Sequence, residues 1–209
     1  MPPILRPPPA DAIRLMAVGD IMLGEHPLCL GHGVATTIAR SGPRFVFDKV
    51  APLLQTGHIV FGNLENVLAD PVPDPATLEH VYLRGSPDSV QALRYGGFNV
   101  LNLANNHALQ YGPTGLGRTM SLLDQSGIRY VGVRGRNIAV FDLAVLSVGI
   151  LGYCTDQQYE KQTPYVEPID LDLIRADVRR LKRDGVRCVV VSLHWGDEFV
   201  HWPSPAQVE

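Results

Sequence analysis

Three times along this chain, a segment of helical periodicity ends at a glycine and leads into a short apolar run. The first helix is predicted to begin at Ser86 and to end at Gly97, with a strand over Phe98–Leu103. Serine often caps a helix, and glycine tolerates the left-handed backbone that ends one. The second helix ends at Gly127 before a strand over Ile128–Val131.

The third helix ends at Gly185 and precedes a strand over Arg187–Leu193. Residues 137–151 are predicted to form two more strands, paired with each other. A further helix is predicted over Phe47–Leu54, although Pro52 lies within it. Two long loops are predicted, over residues 70–78 and 155–168. Helices that alternate with strands predict an α/β sandwich with largely parallel strands.

The composition is that of one globular domain. The chain has 209 residues, of which 45% are hydrophobic and 19% are charged, so it can bury a sizeable core. We predict a disordered, proline-rich lead-in over residues 1–12 and one domain over residues 13–209. The net charge of −3 gives no indication of a nucleic-acid partner.

No apolar run reaches the roughly 18 residues of a membrane span, and the N-terminus lacks the apolar core of a signal peptide. We therefore expect a cytoplasmic protein, or a membrane-associated or cell-surface one if an anchor lies outside this sequence. Cys29, Cys154 and Cys188 are widely spaced, which disfavours a disulfide scaffold and a thiolate zinc site. We expect them to be small buried side chains, and Cys188 fits this best.

Four polar motifs follow apolar runs that we predict to be strands. The motifs are Gly19-Asp20, Asn63-Leu64-Glu65, Asn105-Asn106-His107 and His194-Trp195-Gly196-Asp197-Glu198. Ligands and catalytic groups gather at the ends of parallel strands. Carboxylate, amide and imidazole groups are suitable ligands for divalent metals. Together the four motifs predict one polar site, which we interpret as a metal site.

Each motif has a simpler explanation when it is taken alone. Asp20 is then better explained as a turn residue and Glu65 as a surface glutamate. Asn106 and His107 fit a polar turn as well as they fit a site in which histidine donates a proton to a leaving group. His194, at the end of a predicted central strand, is either a ligand or a hydrogen-bonded core residue. The other histidines have no such setting, and we expect His58 and His80 to be structural or exposed.

Taken together, the motifs resemble those of the bacterial poly-gamma-glutamate capsule synthesis proteins, a family within the calcineurin-like metallophosphatase superfamily. The resemblance extends from about Arg14 to the end of the chain. Its most specific parts are Leu103-Ala104-Asn105-Asn106-His107-Ala108-Leu109 and Ser192-Leu193-His194-Trp195-Gly196. The other matching parts are Gly19 to Gly24, Asn63-Leu64-Glu65 and the block from Tyr82 to Gly112.

The resemblance implies a four-layer α/β/β/α sandwich with a metal site at the strand ends. It implies that the metal ligands are Asp20, Glu65, Asn106 and His194, and that His107 is catalytic. The implied cofactor is a divalent metal, as two ions of Mn, Fe or Zn. Two ions about 3.5–4 Å apart would clamp a phosphoryl group and activate a bridging water.

The chain departs from the superfamily pattern at several points. Met22 stands where many phosphatases have a histidine, as is typical of the capsule family. Gln110 stands where the capsule family commonly has an aspartate. The superfamily closes its site with a Gly-His-x-x-His loop, and no such motif precedes Glu209. We therefore expect a C-terminally truncated chain with an incomplete fold, a weakly held metal and little hydrolytic activity.

Two functions are compatible with these features. One is a metal-dependent hydrolase that acts on a phosphoester, or on a related bond in a cell-surface polymer. The other is a non-catalytic subunit for assembly or export of the capsule polymer. The implied partners are the capsule polymer or a phosphorylated substrate, and a membrane-bound capsule synthesis complex. The acidic balance slightly disfavours direct binding of a polyanion, and no G-x-S-x-G motif supports a serine hydrolase.

Overall fold

Two β-sheets lie at the centre of the structure. A computed structural model describes residues 8–70, 83–155, 164–196 and 200–208. The strands are β1 (Leu15–Ile21), β2 (Ile59–Leu64), β3 (Val67–Leu68), β4 (Arg84–Gly85), β5 (Val100–Asn102), β6 (Arg129–Val131), β7 (Ile138–Asp142), β8 (Ser147–Cys154) and β9 (Cys188–His194). The helices are α1 (Val34–Ser41), α2 (Ala51–Leu54), α3 (Val90–Gly96), α4 (Gly112–Gln125), α5 (Leu171–Arg183) and α6 (Pro205–Val208).

The two main sheets differ in their strand directions. The first is parallel throughout, in the order β1-β2-β5-β6. The second has the order β7-β8-β9, with β7 antiparallel to β8 and β8 parallel to β9. A short parallel ladder joins β3 to β4. The predicted pairing of two strands within residues 137–151 is confirmed.

Apolar side chains form three packing layers around these sheets. Phe61 and Val100 of the first sheet pack against Val148 and Ile150 of the second. The opposite face of the first sheet packs against helices α1 to α4. The outer face of the second sheet packs against α5, where Leu181 is the most buried contact. The layers are therefore helix, sheet, sheet and helix, which confirms the predicted α/β/β/α sandwich.

Glycines end the helices as the sequence indicated. Gly97 closes α3 with φ at 86°, a left-handed conformation that glycine adopts without steric cost. A second glycine, Gly152 of β8, lets the two sheets approach, because a Cβ there would overlap Oδ1 of Asn102. This close approach brings the second sheet against the end of β5.

Several local predictions are wrong. The helix predicted over Phe47–Leu54 is divided into a 3-10 turn at Pro43–Phe47 and the short α2. Pro52 lies in the first turn of α2, where its missing N–H costs nothing. Ser86 makes no side-chain capping bond, and a 3-10 turn precedes α3.

The strand β9 is not central in its sheet, as it was predicted to be, but lies at one edge within the described residues. Cys188, its first residue, is consequently exposed, and so is Cys29, whereas Cys154 is buried as expected. Large parts of the predicted lead-in and of both long loops, over residues 1–7, 71–82 and 156–163, lie outside the described residues. None of the helices in the described ranges is long and apolar enough to cross a membrane.

Candidate metal centre

The candidate site lies at the carboxyl ends of β1, β2 and β9 and in the loop after β5. Asp20 lies opposite Asn63 in the ladder between β1 and β2, and the register of that ladder shifts between Ala17 and Asp20. Irregularities of this kind re-aim side chains at strand ends. His194 is the last residue of β9. Side chains from both sheets therefore meet at one end of the sandwich.

The structure brings together the four residues that the resemblance implied as metal ligands. Nε2 of His194 lies 3.0 Å from Oδ1 of Asn106 and 3.6 Å from Oε1 of Glu65. Nδ1 of the same ring lies 3.8 Å from Oδ1 of Asp20. Asp20, Glu65 and His194 each offer one ligand atom, and these three atoms lie within 4.8 Å of one another. Such a spacing would allow one ion to contact all three.

His107 lies next to these four residues, and Gln110 contacts the opposite side of its ring. Its Nε2 is 3.8 Å from Oε1 of Glu65, and its Nδ1 is 2.8 Å from Oε1 of Gln110. Because an amide oxygen only accepts, Nδ1 of His107 donates to Gln110. The nitrogen left to exchange a proton is Nε2, which faces Glu65 and lies 3.4 Å from Nδ2 of Asn106.

Sequence reasoning did not assign a role to Asn63, which connects the site. Its Nδ2 donates to Oδ1 of Asp20 at 2.8 Å and lies 3.2 Å from Nδ1 of His194. Its Oδ1 accepts from the side-chain amides of Asn102 and Asn105, at 3.1 and 3.2 Å. Because two donors hold the oxygen, the nitrogen must face the carboxylate and the imidazole.

Asn105 shapes the turn that carries Asn106 and His107. Its side chain is fully buried, its Oδ1 accepts from the backbone N–H of His107 at 3.1 Å, and its Nδ2 donates to the carbonyl of Leu64 at 2.9 Å. This turn is thereby tied to the end of β2. The first asparagine of the motif thus has a structural role, and the signal for it was its position directly after a buried strand.

The site is sheltered on one side and open on the other. The side chains of Glu65, His107 and His194 are 14%, 20% and 24% exposed, whereas that of Asp20 is 59% exposed. The open side of the site is therefore the side of Asp20.

Comparison with known proteins identifies the family of this chain. Residues 14–209 match the family described as bacterial capsule synthesis protein PGA_cap. The chain belongs to this family. The capsule biosynthesis protein CapA of Bacillus anthracis is 30% identical over 212 residues, which cover 94% of this chain and 50% of that protein. The PGA biosynthesis protein CapA of Bacillus subtilis is 27% identical over 208 residues, which cover 94% of this chain and 52% of that protein.

The chain thus spans about half the length of the curated relatives it matches. Among solved structures, the NAD nucleotidase of Haemophilus influenzae superimposes with a TM-score of 0.50 and 16% identity, over 75% of this chain and 29% of that one. At this identity the similarity concerns the fold alone. This capsule-family chain accordingly shares the fold of that part of the nucleotidase.

Asp197, Glu198, Tyr82 and His80 lie outside the described residues. Within the described ranges, Asp20, Glu65 and His194 make up the only group of three His, Cys, Asp or Glu side chains that could hold a metal. His58, expected to be structural or exposed, is exposed, and its Nδ1 accepts from the backbone N–H of Arg14 at 2.9 Å.

Proposed function

We propose that this chain carries a divalent metal site and takes part in making a bacterial capsule polymer, as a metal-dependent hydrolase of a phosphoester or a related bond. The observation that supports the proposal is the convergence of donor atoms from Asp20, Glu65 and His194 within 4.8 Å. Asn106 adds an amide oxygen 3.0 Å from His194. These residues lie far apart in the sequence and are brought together only by the strand ends.

The donor set suits a divalent transition metal. Asp20 and Glu65 would supply two carboxylates, Asn106 a neutral oxygen and His194 a nitrogen, a mixture that Mn, Fe and Zn accept. A bound metal would supply Lewis-acid polarisation of a phosphoryl oxygen. Four protein donors are few for two ions, and His194 is the single nitrogen among them. We therefore propose weak binding by these residues alone.

In this proposal His107 exchanges protons with the substrate and is not a metal ligand. Its Nδ1 is engaged by Gln110, so proton transfer would take place at Nε2. A histidine held in this way can protonate a leaving-group oxygen, which typically contributes about 10²–10⁴ in rate. Glu65, 3.8 Å from that nitrogen, would stabilise the protonated imidazole.

The names of the relatives support the substrate class. The two Bacillus proteins are named for capsule and PGA biosynthesis, so we propose the capsule polymer, or a phosphorylated compound used in its synthesis, as the substrate. A membrane-bound capsule synthesis complex would be the partner. Residues 13–209 would form the domain that carries the site.

The first experiment separates metal binding from catalysis. The protein is stripped of metal with EDTA and titrated with Mn²⁺ by calorimetry, and hydrolysis of p-nitrophenyl phosphate is followed in single turnover. His194→Ala should weaken Mn²⁺ binding at least about tenfold, because a ligand is lost. His107→Ala should leave Mn²⁺ binding within about twofold and reduce the hydrolysis rate at least about 100-fold.

His201→Ala is the matched control, since His201 is exposed and should change neither quantity. Loss of Mn²⁺ from His107→Ala in proportion to its activity would show that His107 is a ligand, contrary to the proposal. Unchanged Mn²⁺ binding by His194→Ala would show that these residues do not form the metal site.

A non-catalytic role in assembly or export of the capsule polymer is the second candidate. Two features favour this role. The site offers few metal-ligating groups, and the residue that contacts His107 is the uncharged Gln110. Under this alternative Mn²⁺ binds but no hydrolysis is measured at any enzyme concentration.

A further inference from the structure

A cavity of about 500 Å³ lies between helix α1 and the chain that follows it. Its apolar wall comes from Val34 on α1 and from Phe45, Val46 and Val50 beyond that helix. Pockets for small organic molecules commonly measure about 300–1,000 Å³ and are mostly apolar. None of the candidate metal ligands contributes to the wall, and the proposed hydrolytic function does not use this cavity.

The wall of the cavity exposes apolar side chains to water. Phe45 is 59% exposed and Val50 is 46% exposed. Val34 and Val46 are only partly buried where they pack against the core of the first sheet. Contiguous exposed apolar surface on a folded protein marks binding sites, whereas single exposed apolar residues are common and need no explanation. A ligand with an apolar body would cover this surface.

Contacts within the chain hold the wall in place. The backbone N–H of Gly42 donates to the carbonyl of Ile38 at 2.8 Å, and that of Val50 donates to the carbonyl of Phe47 at 3.0 Å. The ring of Phe47 packs edge-on against the ring of Phe98, with 5.3 Å between the ring centres. Binding therefore requires little ordering of the chain, which favours affinity.

The polar side chains of the wall already have partners within the protein, with the exceptions of His32 and Lys49. The hydroxyl of Thr37 donates to the carbonyl of Gly33 at 2.9 Å. Asp48 accepts from the hydroxyl of Tyr95 at 2.7 Å. A sugar or a nucleotide needs many polar partners, so the wall does not suit such a ligand.

The charge that is left for a ligand is positive. Lys49 is the one Lys or Arg residue in the wall and is exposed. Among the described residues its ammonium makes no ion pair or hydrogen bond. Asp48 is held by Tyr95, and the guanidinium of Arg44 lies 5.5 Å from the centre of the Tyr95 ring. The flexible stem of a lysine lets its ammonium reach a group at the edge of the cavity.

We infer that this cavity binds a small amphipathic anion, an alkyl chain that carries one carboxylate. The chain lies against Phe45, Val46 and Val50, and the carboxylate pairs with the ammonium of Lys49. A cationic amphiphile would bring its charge toward Lys49 and would find Asp48 already engaged. A neutral chain of the same length would gain the apolar contacts alone.

The test uses the metal-free protein in EDTA, so that carboxylates do not act at the candidate metal centre. Butanoate, hexanoate and octanoate are titrated below their micelle concentrations, and the amide signals of Thr37, Lys49 and Val50 are followed by NMR. We expect saturable shifts and an affinity that rises by about three- to tenfold for every two methylene groups. Octanol and octylamine, with the same chain and a neutral or cationic head, should bind more weakly than octanoate.

Two variants at exposed positions test the apolar wall. Phe45→Gln and Val50→Thr each replace an apolar surface by a polar one, and each should weaken octanoate binding at least about threefold. Leu28→Gln is the matched control, because Leu28 is 89% exposed but lies outside the wall. It should leave the affinity for octanoate unchanged.

A third variant tests the charge. Lys49→Gln should lower the affinity for octanoate by about two- to fivefold, as expected for an exposed ion pair, and should leave that for octanol unchanged. Arg40→Gln is its control, since Arg40 is an exposed cation on α1 outside the wall.

An affinity that does not change with chain length would show that surface charge alone attracts the carboxylate, and would overturn the inference. Octylamine that binds as tightly as octanoate would overturn the assignment of an anion. Amide signals that shift with protein concentration before any ligand is added would show that a second copy of the chain covers the cavity, which also overturns it. If one variant fails to fold, the other variants and the comparison of head groups still decide. None of these results depends on whether the metal centre hydrolyses a substrate.

Discussion

Asn63 is the residue on which the geometry of the candidate metal centre depends. Its amide nitrogen contacts Asp20 and His194, and its oxygen is held by two further asparagines. Partners that orient metal ligands are commonly worth about 10–100-fold in affinity, although they do not touch the metal. A buried amide of this kind can orient both a carboxylate and an imidazole without adding charge.

Asn63→Ala should therefore weaken Mn²⁺ binding by about 10–100-fold, measured by calorimetry on the metal-stripped protein. The matched control is Asn99→Ala. Asn99 also joins β2 to β5, through bonds to the backbone of Val60 and His58, but it takes no part in the site. An equal loss of Mn²⁺ affinity in both variants would show that Asn63 affects binding only through the stability of the fold.

At the scale of elements, helix α1 begins with a cap supplied from a distant loop. Gly33 at its N-cap has no side chain, and the Glu25 carboxylate accepts from the backbone N–H groups of Gly33 and Thr36 instead. A Cβ at position 33 would lie 2.6 Å from Oε2 of Glu25, so glycine leaves room for this cap. Burial acts to raise the pKa of Glu25, but the hydrogen bonds from Thr36 and Gly33 outweigh it and hold the pKa below its ordinary value.

Glu25→Gln should lower the free energy of unfolding at pH 7 by about 1 kcal/mol, the usual value of a cap. A carboxylate whose pKa is lowered by folding stabilises the protein above its unfolded pKa, about 4.3. That stabilisation is lost as the pH falls through the lower, folded pKa. The difference between variant and parent should therefore shrink below about pH 4, as urea unfolding at several pH values would show.

Asp142→Asn, an exposed change away from any helix start, is the control for general charge effects. A difference between Glu25→Gln and the parent that grows toward acid pH would contradict this account of the cap.

For the molecule as a whole, the edge of the second sheet formed by β9 is a candidate surface for association. Within the described ranges β9 pairs with β8 alone, and its residues from Val189 to His194 are only partly buried. An edge strand presents unpaired backbone N–H and C=O groups, and a run of apolar residues on it favours association with another chain. We therefore expect the protein to associate at high concentration through β9.

Cys188→Lys should reduce this association, because a lysine on an edge strand opposes pairing. Cys188 is exposed at the first position of β9, so the change should not disturb the core. Cys29→Lys is the matched control, since Cys29 is equally free and exposed but lies in a 3-10 turn. Light scattering under reducing conditions measures the mass, and equal masses for the two variants would exclude β9 as the interface.

Much of the fold was predictable because the signals are local. The helical periodicity that ends at Gly97, Gly127 and Gly185 and the apolar runs that follow depend on neighbouring residues. The helix over Phe47–Leu54 was predicted wrongly because a proline fits the first turn of a helix as readily as it ends one, and the sequence does not distinguish the two. The position of β9 was predicted wrongly because an apolar strand has the same pattern at an edge as in the centre.

The candidate site, like the fold, was predictable only where its signals are local in the sequence. The sequence by itself determined which side chains lie at strand ends, because a polar residue that follows a buried apolar run marks the end of that strand. It could not determine that Asn63 joins Asp20 to His194, because these residues are distant in the chain. Only the packing of two sheets against each other decided those contacts, since it sets which strand ends lie side by side and which polar atoms are enclosed with them.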